Sequence, residues 1–128
     1  AQSANCANPY PLYRELAQAL AAHSRAEEAV VYAALKRTGD DAARDIAFEG
    51  AVEHTLCDQL IGEMATGRAG SDGWQARAKV VYELLQHHIE GEHDDMFKRI
   101  RRHFDAAERQ RMAARFEQAK EQHLAAEA

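Results

Sequence analysis

At 128 residues the chain suits one domain with one hydrophobic core. Acids outnumber bases by 21 to 16, a formal charge of −5, and the two signs are mixed along every segment. No basic stripe therefore offers the phosphate contacts that nucleic-acid binding requires. Aromatic residues make up only 7% and both prolines fall in the first eleven positions, which favours long helices over strands and an all-α class.

A loose terminus is expected over residues 1–10. The first helix begins near Pro9 to Leu12, where a proline suits a first turn, and runs to about Arg37. Thr38 and Gly39 form the stop, and Asp40 or Asp41 caps a second helix that reaches about Thr66. Three glycines fall between Gly67 and Gly73, too many for a helix interior, so this stretch is the expected loop. A third helix occupies about Trp74 to Arg102. Phe104, Asp105 and Glu108 then supply the staple, cap and reciprocal acid of a fourth helix, over 106–126.

No apolar run approaches the ~20 residues that span a bilayer, and the start lacks the basic-then-apolar layout of a signal peptide. No membrane partner is expected. Cys6 and Cys57 lie in different kinds of segment, so no disulfide framework is expected, and a reducing cytoplasm is the expected compartment.

The apolar stripe of the first helix, Leu12, Leu16, Leu20, Val30 or Val31, and Ala34, also contains His23 and Glu27. Residues four apart lie one above the other on a helix, so these two side chains should point inward together. The third helix repeats the arrangement: Val81, Leu84 or Leu85, Met96 and Ile100 mark a stripe that His88 and Glu92 interrupt. In the second helix His54 falls in series with Ile46, Gly50, Cys57, Ile61 and Met64. Inward carboxylates without partners cost several kcal/mol or become protonated, roughly as any buried acid does. A bound cation resolves that conflict: imidazole with carboxylate suits iron, manganese or zinc, and carboxylates can bridge two metals.

The stretches LAAHSRAEEAVVYAAL, AVEHTLCDQLIGEM and LLQHHIEGEHDDMF resemble three successive helices of the hemerythrin-like HHE cation-binding family. His23, Glu27, Glu28 and Tyr32 match its H-x-x-x-E motif with a second acid and an aromatic, His54 after Glu53 matches the next helix, and His88, Glu92, Met96 and Phe97 the one after. The resemblance implies an up-down bundle with a di-iron site, two irons per complete site, with zinc or manganese as other candidates. Its metal ligands would be His23, Glu27, His54, His88 and Glu92, with Glu27 and Glu92 bridging. The family normally begins with a further helix carrying another histidine ligand, and nothing before Leu12 supplies it. Three readings follow: the helix was removed, the C-terminal helix takes its place, or a second copy completes the bundle as a homodimer or swapped assembly.

The implied function is binding of dioxygen or a related small ligand, in sensing, carriage or iron handling. One alternative is an enzyme at the same site that degrades peroxide or nitric oxide; another is a metal-free or zinc-bound helical interaction module. The remaining polar residues have plainer readings. His87 and His93 are expected to turn away from the motif, His103 and His123 to sit near helix ends, and Asp58 to be either an extra ligand or a surface acid. Glu28 and Glu53 are candidates for orienting a ligand ring from behind, and Cys57 reads as a small apolar filler.

Overall fold

The computed structural model describes residues 10–127, which form four helices and no strands. Helix α1 (10–36) has regular turns over Tyr10–Ala26, a wider π-helical stretch over Glu27–Tyr32 and a last turn over Ala33–Lys36. Helix α2 is Asp41–Thr66. Helix α3 (72–103) is likewise interrupted, by a π-helical stretch over Glu92–Met96, and α4 is Ala106–Glu127. The expectations for Cys6 and for the terminus before residue 10 lie outside the described residues.

Local chemistry sets the helix ends. Gly39 takes a φ of +78°, and Asp40 then caps α2, accepting from the Ala42 and Ala43 amides at 2.9 and 3.3 Å. At α4 the Asp105 side chain accepts from the Glu108 amide at 2.8 Å, while Glu108 accepts from the Asp105 amide at 2.9 Å, a complete capping box. The α2–α3 loop is shorter than expected: Ser71 accepts from the Trp74 amide at 3.3 Å and starts α3 at Asp72, so the cap outweighs the helix-weakening effect of Gly73 in the first turn.

The second half of α1 packs on α2, and α2 on α3. Tyr32, Leu35, Ala43, Ala47 and Met96 form the main buried cluster. The small residues of α2 let the backbones approach: a β-carbon on Gly50 would lie only 2.5 Å from Tyr32 Cζ. On its other side α1 carries α4, where Val30 and Ala34 meet Met112, and His23 lies edge-on to Phe116 with ring centres 5.3 Å apart. These contacts make α4 antiparallel to α1.

The start of the first stripe is a correction. Leu12 and Leu16 are 73% and 54% exposed, because the described helices leave an apolar cavity of about 200 Å3 there, walled also by Ile61, Met64, Trp74 and Val81.

Asp40 also ties the α1–α2 connection to the end of α3, accepting from Arg99 Nη1 at 3.0 Å and His103 Nε2 at 2.7 Å. The bond from His103, helped by the α2 amides and Arg99, holds the Asp40 carboxyl below its ordinary range. A depressed carboxyl stabilises the fold above its unfolded pKa and loses that contribution as pH falls through the folded one. Asp40→Asn, which keeps a capping oxygen, is therefore expected to melt lower than wild type at neutral pH, with the gap closing in acid. Asp40→Ala, which loses the cap as well, is expected to melt lowest at neutral pH; thermal melts over a pH series measure both effects.

Candidate metal centre

The structure brings together all five residues singled out by spacing. Glu27 is 3% exposed and is the hub: its Oε1 lies 3.0 Å from His54 Nε2 and 3.1 Å from His88 Nε2, and its Oε2 lies 3.7 Å from His23 Nε2. Glu92 Oε2 stands 2.9 Å from His88 Nε2. His23 departs from expectation, since its side chain is 46% exposed. It faces a cavity of about 480 Å3 bounded by Leu20 of α1, Leu85, His88, Ile89 and Glu92 of α3, and Lys120 and Leu124 of α4. Helix α4 thus stands on the open side of the cluster and offers Phe116 and Lys120 at this level.

Each H-x-x-x-E motif runs straight into a π-helical stretch, beginning at Glu27 in α1 and at Glu92 in α3. In α3 the Phe97 amide bonds back to the Glu92 carbonyl, the i→i+5 pattern of such a turn. The wider turn has a direct effect in α1. Residues five apart lie ~140° apart around a regular helix but share a face in a π turn, and here the Tyr32 hydroxyl donates to Glu27 Oε1 at 3.0 Å. The Tyr32 ring also stacks on His54, with centres 5.5 Å apart.

Behind the imidazoles stand two more carboxylates. Glu28 Oε2 lies 2.7 Å from His54 Nδ1, and Glu53 Oε1 lies 2.7 Å from His88 Nδ1. Both rings therefore turn Nε2 toward Glu27, the orientation that a carboxylate behind a metal-bound histidine commonly fixes. Arg25 holds Glu28 through two bonds of 3.1 and 3.0 Å and reaches Asp58 at 3.0 Å. Asp58 is thereby engaged at the surface, away from the cluster. Adjacency in sequence raised Glu28 and Glu53 as candidates, but their function depends on which helix faces which, information that spacing does not carry.

The electrostatics are those of a site short of positive charge. Burial pushes the Glu27 carboxyl up, but the facing imidazoles of His23, His54 and His88 outweigh it and hold Glu27 ionised, below the ordinary carboxylate range. Burial lowers His88, yet the carboxylates of Glu27, Glu92 and Glu53 around it raise it to about 11. Burial, with the charge of Glu27 beside it, pushes Glu92 up. The proton on His88 thus stands where a cation would sit.

Hydrogen bonding alone leaves the cluster incomplete. His54 Nε2 and Glu92 Oε2 are buried and have no hydrogen bond of acceptable geometry, a costly condition that coordination would relieve. Glu27, His54 and His88 present donor atoms within 4.8 Å of one another, as do His23, Glu27 and Glu92. These two three-donor sets share Glu27, and the mixture of imidazole and carboxylate suits a transition metal. Cys57, a free thiol, is pushed toward its neutral form by burial, which makes it a poor ligand.

A helical bundle with such a cluster at its centre defines the class of His/carboxylate metal-binding bundles. Residues 10–100 match the family described as the hemerythrin HHE cation binding domain, and the chain belongs to that family. No curated protein and no solved structure gives a significant match. Among the described residues no helix is long and apolar enough to cross a membrane.

Proposed function

We propose that the cluster binds two iron ions, on His23, Glu27, His54, His88 and Glu92, and that the protein takes up dioxygen or a related small ligand there, in sensing, carriage or iron handling. The observation that carries this reading is the pair of donor sets sharing Glu27 beside a cavity of about 480 Å3. Bound iron would supply one-electron chemistry and open coordination positions. The chain's own part is to hold the donors in register, to keep the rings turned by Glu28 and Glu53, and to leave the His23 side accessible.

Metal content per chain in protein purified without added metal, with absorption spectra under air and under nitrogen, tests the proposal. Near two irons and an oxygen-dependent charge-transfer band are expected; protein without bound metal that takes up no iron would overturn it. The rear carboxylates give a finer test. Glu28→Gln and Glu53→Gln are each expected to weaken metal binding by about 10–100-fold in chelator competition. Asp58→Asn should do less, since Asp58 acts only through Arg25 and Glu28.

A second reading, an enzyme that degrades peroxide or nitric oxide, is favoured by Tyr32. Burial first, then the charge of Glu27, keeps its hydroxyl protonated beside the cluster, where it is placed to donate a hydrogen bond to a ligand. Turnover on added peroxide that slows in Tyr32→Phe would support this reading over simple binding.

A further inference from the structure

Among the described residues, one more group of side chains with metal-ligating atoms comes together outside the five above. Glu49 and Glu53 of α2 and His87 of α3 present donor atoms within 4.8 Å of one another. The outer carboxylate oxygen of Glu53 lies 3.3 Å from His87 Nε2, while its inner oxygen holds His88 Nδ1 at 2.7 Å. Glu53 therefore links this trio to the buried cluster.

The space next to this trio leads inward. A cavity of about 90 Å3 has Glu49, Glu53 and His87 on its wall and also His88 and Glu92. Its lining carries four carboxylates, those of Glu49, Glu53, Glu92 and Asp95, and neither lysine nor arginine. Low-dielectric walls bearing one sign of charge concentrate ions of the other sign. At its inner end the cavity reaches Glu92, which belongs to the buried cluster and pairs with His88 Nε2 at 2.9 Å. An imidazole with two carboxylates is a donor set for a borderline divalent ion and a poor one for sodium or potassium.

We propose that Glu49, Glu53 and His87 form a second, surface site for a divalent transition-metal ion, and that metal passes from it to the buried cluster. The buried cluster is the destination under the reading given above, but the surface site stands on its own donors and can be measured separately. His87 is 69% exposed, so the ion would keep several waters and exchange readily, as a transfer site requires.

The test uses the full chain with its buried cluster first filled with zinc and its zinc content measured. Manganese(II) is then titrated in, and free manganese is followed by electron paramagnetic resonance. One additional manganese per chain is expected in wild type, with binding at least tenfold weaker in Glu49→Gln/His87→Ala. Glu53 is left intact because it also orients His88. A wild type that binds no manganese beyond its zinc complement, or a double variant that binds it equally well, would overturn the surface site. For the transfer step, iron(II) is mixed with metal-free protein, and the double variant is expected to fill about fivefold more slowly to the same final content. Equal filling rates would overturn the transfer step. Failure of the cluster itself to hold metal would show separately, in the zinc and iron contents.

Discussion

Under the proposed two-iron reading, Glu27→Ala is expected to empty the metal centre. Glu27 is the only side chain common to both donor sets, so its loss should take metal content from about two per chain toward none, because ligation needs each set complete. Glu92→Ala, which breaks one set, should fall only toward about one. The metal-free protein should suffer as well. Without Glu27 the imidazoles of His54 and His88, with ring centres 4.8 Å apart, would share a buried space with no carboxylate between them. Removing one partner of a buried ionic group costs about 3–5 kcal/mol. Denaturant unfolding in the presence of chelator measures this cost, and elemental analysis measures the first effect. A variant that keeps both metals would refute the shared-carboxylate arrangement.

The other large effect is expected at Gly50, which makes no polar contact with the cluster. A methyl group there would overlap the Tyr32 ring, and Tyr32 is 2% exposed. Displacing the ring would also withdraw its hydroxyl from Glu27 and its face from His54. Overpacking typically costs 1–3 kcal/mol and a hydrogen bond to a charged group about 1.5–3, so Gly50→Ala should destabilise by about 3 kcal/mol. Adding Tyr32→Phe removes the nearest atom but leaves Cζ within 2.5 Å, so the double variant should recover only part of the loss. Equilibrium unfolding of the three proteins tests the claim; a neutral Gly50→Ala would refute it.

The helix ends were legible because caps are local: Asp40, Asp105 and Glu108 do their work within a few residues of their own position. The candidate donors were legible for a similar reason, since four-residue spacing along one helix is a local property. Burial was less so. Leu12, Leu16 and His23 follow the inward stripe, but an inward position becomes buried only if another element covers it, and here cavities lie against all three. Glu28 and Glu53 depend on the approach of a different helix. His87 was assigned to an outward face, and the structure does place it outside the cluster, yet the acids of α2 lie beside it. The π-helical stretches left no trace in a reading that assumed one period throughout.

Those wider turns have a consequence for how the chain can change in length. Each residue added to an ordinary helix rotates everything after it by ~100°, which in a packed bundle would turn the whole buried face toward solvent. A π turn takes in an extra residue without that rotation. Deleting one residue between Glu28 and Val31 would let the backbone close into an ordinary turn while Tyr32 and Leu35 kept their directions. The same deletion between Leu12 and Leu20 would swing the histidine and glutamate of the motif away from those of α3. The turns beside the metal donors are thus where this bundle can lose a residue and keep its shape, so chain length is least constrained next to its most constrained chemistry.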